Sequence, residues 1–207
     1  MPYLIRVELP DVPGSLGRVA SVIGEAGGDI EAIEIVEKRD GFAVDDVLLE
    51  IPSGTMPDSV VSACAQLDGV TVLWVNRYAA GGNLFLDLEV VEALTEDPAT
   101  AMDRLVELLL IAFRVDWAAR VRPRPGSGDG SGDVEIIRAT EAAPAAIDLP
   151  VITAPVRLAD HATNVEVAAP FGDDVVVLGR RGGPEFLDSE LARLEHLVGL
   201  AITISRN

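Results

Sequence analysis

Residues 3–78 switch between the two-residue repeat of a strand and the 3.6-residue repeat of a helix in the order strand, helix, strand, strand, helix, strand. Few topologies accommodate that order. Tyr3 to Leu9 alternates, and Leu16, Val19, Ala20 and Ile23 mark a helix over 15–26 that Gly27-Gly28 ends. "DIEAIEIVE" (29–37) sets Ile30, Ala32, Ile33 and Ile35 among acidic residues, as a half-solvated strand does, and "KRDG" (38–41) predicts a turn. "FAVDDVLLEIP" (42–52) is the next strand, and a helix entered by Pro57 and closed by Gly69 follows. "VTVLWVNRY" (70–78) is the last, with Val70, Val72 and Trp74 expected on one face. A βαββαβ order predicts the ferredoxin-like split unit, an α+β domain with both helices on one face of a four-stranded antiparallel sheet.

"AAGGN" (79–83) reads as a hinge, which leaves 84–207 as a second domain. "LFLDLEVVEAL" (84–94) and "PATAMDRLVELLLIAF" (98–113) have helical spacing. "RVDWAARVRPR" (114–124) alternates, with Val115, Trp117, Ala119 and Val121 on one side. Arg114, Asp116, Ala118, Arg120 and Arg122 fall on the other, predicting a strand with one wet face. "PGSGDGSGD" (125–133) predicts a glycine-rich hairpin loop, and "VEIIRAT", "PVITAPVRL", "NVEVAAPF" and "VVVLGRR" predict further strands. The last helix, "FLDSELARLEHLVGLAITI", carries a stripe of Leu187, Leu191, Leu194, Val198 and Ala201, with Leu197, Leu200 and Ile204 beside it. Helices before and after an antiparallel sheet in the sequence predict an α+β sandwich.

Two resemblances follow from these stretches. "DVPGSL" after the first strand and "AGGDI" before the second resemble the D-x-P-G-x-L loop and the Gly-x-(Asn/Asp)-Ile strand entry of the ACT domain, a regulatory amino-acid-binding module, over residues 3–78. Residues 84–204, above all "VVVLGRRGGPEFLDSELARLEHLVGLAITI", resemble the closing strand, loop and last helix of a GAF domain, with a shortened middle. The residue set of the cyclic-nucleotide-binding GAF branch is missing.

The chemistry of an α-amino acid suits the first loop. The N–H groups of Gly14, Ser15 and Leu16 begin a helix and suit a carboxylate, while Pro13 pre-sets φ and Gly14 permits close approach. Asp11 and Asp29 are the nearest acceptors for an ammonium, and Val12, Leu16 and Ile30 are candidate apolar walls. Asp11 and Asp29 are expected to reach one small pocket. The ACT resemblance implies that this pocket forms between two copies of the chain, with ligand binding coupled to dimerisation, and the GAF resemblance implies dimerisation through terminal helices. The plainer alternative is an ordinary Pro-Gly turn with Ser15 or Asp11 as N-cap.

Composition removes other classes. The net charge of −18 is spread over both halves, 5 basic and 13 acidic groups in residues 1–78 against 11 and 21 in the rest, so neither half offers a basic footprint for nucleic acid or anionic membrane. The single Cys64 forbids an internal disulfide and lies at a core position of its helix. The N-terminus lacks a signal-peptide pattern and no apolar run exceeds "LVELLLIAF", so a cytoplasmic, soluble chain is expected. His161 and His196 form no local catalytic signature, the aspartates of 125–133 lack an EF-hand pattern, and Arg120, Arg122 and Arg124 are expected to line a wet sheet face or pair with carboxylates. Neither a catalytic centre nor a metal or cofactor is expected. The sequence therefore predicts a non-enzymatic, homodimeric sensor that binds a small amino acid and signals to another protein. An adaptor without a ligand is the alternative.

Overall fold

The computed structural model of the chain describes residues 1–77, 86–124, 134–158 and 164–206. The expected hinge, the 125–133 loop, Leu84, Phe85 and His161 lie outside the described residues. The chain forms two compact units, Met1–Gly81 and Gly82–Asn207.

In the first unit the strands are β1 (Pro2–Pro10), β2 (Asp29–Arg39), β3 (Phe42–Glu50) and β4 (Thr71–Arg77), and the helices are α1 (Ser15–Glu25) and α2 (Pro57–Ala65). The sheet is antiparallel between neighbours in the order β2-β3-β1-β4. Ile5, Val7, Leu9, Val47 and Leu49 from the sheet bury against Val19 and Ile23 of α1 and Val60 and Cys64 of α2. Burial raises the Cys64 thiol pKa, which keeps the group unreactive. Two of the three register shifts among these strands correct the simple alternation. One between Arg6 and Val7 pairs Trp74 with Arg6 and Val72 with Val7, so Trp74 leaves the face that Val72 shares with the core. The other, between Ile30 and Ala32, lets both Ile30 and Ile33 face the core although they are three residues apart. The strand also runs through Lys38 to Arg39, and the turn is confined to Asp40 and Gly41, both at positive φ.

The second unit begins with α3 (Leu86–Glu96), a 3-10 turn (Pro98–Thr100) and α4 (Ala101–Ala112). Strands β5 (Trp117–Pro123), β6 (Val134–Ala139), β7 (Val156–Arg157), β8 (Asn164–Phe171) and β9 (Asp174–Arg181) follow, then α5 (Asp188–Ile204). The antiparallel sheet has the order β6-β5-β9-β8-β7. Leu94, Leu105, Leu109, Leu194 and Val198 from the three helices pack on one face, against Ala118, Val167, Phe171, Val176 and Leu178. Trp117, Ala119, Val121, Ala168 and Val177 occupy the other face, beneath Leu149, Ile147, Ile152 and Leu158. The expected wet face of β5 is buried at Ala118, which points into the helix layer, and charged beyond it, where Arg120 reaches Asp103 and Asp174 and the exposed Arg122 reaches Asp174. Likewise most of "PVITAPVRL" is an extended strap, and only Val156 and Arg157 pair with β8. On α5 the expected stripe is buried at Leu187, Leu194, Val198 and Ala201, and of the residues beside it Leu197 is buried and Leu200 exposed. His196 is exposed on the same helix.

Asp174, at the start of β9, accepts hydrogen bonds from Arg120 Nε (2.6 Å) and Arg122 Nε (2.7 Å). Burial alone would raise its pKa, but the hydrogen bonds from Arg122 and Arg120, with their charges, hold it below the usual value. The same contacts raise the Arg122 pKa. A depressed folded value means that stability is present above the ordinary aspartate value and lost as pH falls through the folded one. Asp174→Asn is expected to cost about 1–3 kcal/mol at pH 7, and to flatten the acid limb of the second unit's stability curve, read by denaturant melts from pH 7 to 3.

Candidate functional site

The loop from Asp11 to Gly14 is fixed by its backbone. Asp11 N–H donates to Gly41 O (2.8 Å), tying the loop to the β2–β3 turn, and Val12 N–H donates to Pro10 O (2.9 Å). Gly14 is the N-cap of α1 at φ +91°, a conformation that disfavours any side chain, and the space around its Cα is open. No side chain caps the helix, so neither Ser15 nor Asp11 plays the expected N-cap part. Ser15 N–H is taken by Val12 O (3.1 Å), which removes one of the three donors expected to be free for a carboxylate. The Ser15 side chain is buried and its hydroxyl accepts a long hydrogen bond from Arg18 Nη2 (3.5 Å).

The described residues around the loop separate into two groups. Asp11, Val12 and Pro13 are exposed, and Leu16 packs its half-buried side chain on the core below. Asp29 and Ile30 are not there. Asp29 pairs with Glu50, which pairs with Pro2, whereas the loop follows Pro10, the partner of Phe42. Eight residues of strand at roughly 3.4 Å each set Asp29 and Asp11 at opposite ends of one sheet. The expected meeting of the two carboxylates in one pocket within a chain does not occur, because β2 runs parallel to β1 with β3 between them.

Two residues the sequence reading passed over sit beside the loop instead. Lys38, the single lysine of the chain, donates from Nζ to Asp11 Oδ1 (2.7 Å), both side chains being about half exposed. Asp45 pairs with Val7 on β1 and Ile35 on β2, which places it on the helix-covered face between Ala43 and Val47. It is 1 % exposed, and its Oδ1 has no hydrogen-bond partner. Burial raises its pKa, the Lys38 charge lowers it, and Asp11 and Asp46 raise it further. Its neighbour Asp46 faces the other way and is held by Arg6 through Nε (2.7 Å) and Nη2 (2.9 Å). The signal for Asp45 was present as "DD" in an apolar strand, since adjacent strand residues point to opposite faces and one of two carboxylates must face the core.

The second unit contains a cavity of about 290 Å³ lined by Trp117, Ile147, Asp148, Asn164, Glu166 and Arg181. Arg181 is anchored there by donating its backbone N–H to Asp116 Oδ2 (2.7 Å). Among the described residues no group of three or more His, Cys, Asp or Glu converges as a metal site would require, and no helix is long and apolar enough to cross a membrane.

A stretch of 63 residues is 33% identical to NAD-dependent malic enzyme 1 of Bacillus subtilis (strain 168), covering 30% of this chain and 14% of that enzyme. The chain therefore spans only a small part of that relative's length. The GAF domain of the Acinetobacter phosphoenolpyruvate-protein phosphotransferase is similar over 59% of this chain and 92% of its own, at 12% identity and a TM-score of 0.43. The GAF domain of the corresponding Coxiella burnetii protein matches over 60% and 96%, at 15% identity and 0.40. No residue assignment follows from likenesses at that level. The family model that matches is the ACT domain, over residues 3–68, so the first unit contains an ACT domain running from β1 through α2.

Proposed function

We propose that the chain is a regulatory sensor without catalytic activity, in which the ACT domain binds a small amino acid at the Asp11–Leu16 loop and the GAF-like unit dimerises or relays the bound state to another protein. The observation that carries this reading is the open space at Gly14 next to a close pair of opposite charges, Asp11 and Lys38. An α-amino acid is a zwitterion, and it fits such a pair with its ammonium toward Asp11 and its carboxylate toward Lys38 and the start of α1. Val12 and Leu16 line the approach and Pro13 and Ser15 shape the turn.

A second copy supplies Asp29 and Ile30. β2 is an edge strand, with an acidic beginning (Asp29, Glu31) and a basic end (Lys38, Arg39). Pairing antiparallel with itself sets the acidic end of one copy against the basic end of the other, and brings the partner's Asp29 to the end where Asp11 lies. Binding then tightens the dimer. Exposed Leu88 on α3 supports a second contact surface in the GAF-like unit. The proposed setting is an aqueous one, the cytoplasm.

A thermal-shift panel of the twenty amino acids tests this reading, with wild type and Asp11→Ala side by side and sedimentation velocity on any hit. Ligand at a hundred times its Kd contributes about 2.7 kcal/mol, a rise of several degrees for a domain of this size. The expected result is a shift from one or two amino acids, weakened in Asp11→Ala and accompanied by a larger sedimenting species. A shift that survives Asp11→Ala unchanged points to the cavity at Trp117 instead. No shift anywhere on the panel favours an adaptor without a ligand.

A further inference from the structure

We infer that Asp45 is the buried acceptor for the ligand's ammonium, and that Lys38 is the gate above it, moving from Asp11 to the ligand's carboxylate when an amino acid enters. This assignment rests on the receptor reading above and names the ligand class more narrowly: an α-amino acid with a free ammonium and a side chain that is not acidic.

A buried carboxylate oxygen without a hydrogen-bond partner, such as Asp45 Oδ1, works against folding, and such groups persist where something else uses them. Asp46 shows the contrast, since one residue on it has a two-point guanidinium partner. Among the described residues Lys38 supplies the positive charge that acts on Asp45, and Lys38 makes its close contact with Asp11. The cluster is therefore two carboxylates to one ammonium, with an Asp45 oxygen unused. A zwitterion completes it. Its ammonium supplies donors for Asp45 and Asp11, and its carboxylate gives Lys38 a new partner, so that the net charge is unchanged while each carboxylate and each ammonium has a neighbour of opposite sign. An acidic side chain would add repulsion from Asp11 and Asp45.

The groups facing Asp45 fix the sign of the pH dependence. Lys38 on β2 favours its ionised form, and Asp11 in the loop and Asp46 on β3 oppose it. Arg18 on α1 is engaged with Ser15, and Arg6 on β1 with Asp46. A carboxyl whose folded pKa is raised makes the ligand-free protein lose stability as pH rises from the ordinary aspartate value through the folded one. An ammonium stabilises the ionised form, so binding releases a proton within that window and weakens as pH falls through it.

The experiment compares wild type and Asp45→Asn on the twenty-amino-acid panel at neutral pH. Asparagine keeps the shape and removes the charge. Ligand-free Asp45→Asn is expected to melt higher than wild type, and the amino acid that shifts wild type is expected to bind the variant about tenfold or more weakly. A variant that keeps the wild-type ligand response overturns the assignment, whatever its own melting temperature, and leaves the receptor reading intact. A wild type that responds to none of the twenty overturns both. Should Asp45→Asn not fold, calorimetry of wild type in buffers of different ionisation enthalpy between pH 4 and 7 decides the matter. Proton release on binding supports Asp45, and its absence overturns it.

Discussion

Glu190→Ala is expected to destabilise the second unit by about 3–5 kcal/mol, among the largest effects of any single substitution in the chain. Glu190 is buried, and its Oε1 accepts from Arg180 Nη2 at 2.6 Å. Its Oε2 accepts the Leu187 N–H at 2.9 Å, closing the first turn of α5 at a position where the capping residue itself is apolar. Arg180 also donates to Phe113 O (2.8 Å) and stacks over the Phe186 ring, 3.9 Å from its centroid. Alanine at 190 removes the carboxylate and leaves the guanidinium charged in a dry site, with the Leu187 N–H open as well. The cost comes from the stranded charge more than from the lost attraction. Denaturant melts should therefore show the second unit unfolding at a much lower midpoint, while the double change Arg180→Met with Glu190→Leu recovers most of the loss. A midpoint unchanged in Glu190→Ala would show that water reaches Arg180.

Gly179→Ala is the second, and it acts by crowding. Gly179 on β9 pairs with Trp117 on β5, and a Cβ there would fall inside the Trp117 indole. The ring is buried between the sheet and the 140–158 strap and cannot retreat without opening that layer. Overpacking of this kind costs about 3 kcal/mol at the upper end of its range. The expected outcome is a lower melting temperature together with a red shift of tryptophan emission as the indole is driven toward the cavity beside it. Trp117→Leu in the same chain should restore part of the stability by making room. A Gly179→Ala protein with native emission and stability would mean that the strap yields freely.

The contrast between Asp45 and Asp174 shows how one residue type serves opposite ends. Both carboxylates are almost wholly buried in a strand. Asp174 has two guanidinium partners and is held ionised, so acid weakens its unit. Asp45 has a single cation at a distance and is pushed toward neutrality, so its unit gains from mild acid. Hydrogen-bond supply, rather than depth, decides between structural anchor and poised acceptor.

The features legible in the residues alone were set by local rules. Period-two and period-3.6 runs gave the βαββαβ order, Gly27 and Pro57 gave helix ends, and the position of Cys64 gave its burial, because each depends on neighbours within a turn or a strand. The Pro-Gly loop was legible for the same reason. What lay beyond the sequence depended on pairing across the fold. The register shifts at Arg6 and Ile30 moved Trp74 and Ile33 to faces that alternation did not predict, since a bulge adds one residue to one strand only and its position is set by the partner. The second face of β5 was buried at Ala118 because α4 folds back over the sheet, a packing that alternation within the strand does not reveal. Above all, strand order separated Asp11 from Asp29 by the length of a sheet and delivered Lys38 and Asp45 to the loop in place of Asp29, a rearrangement of charges that only the tertiary structure could make.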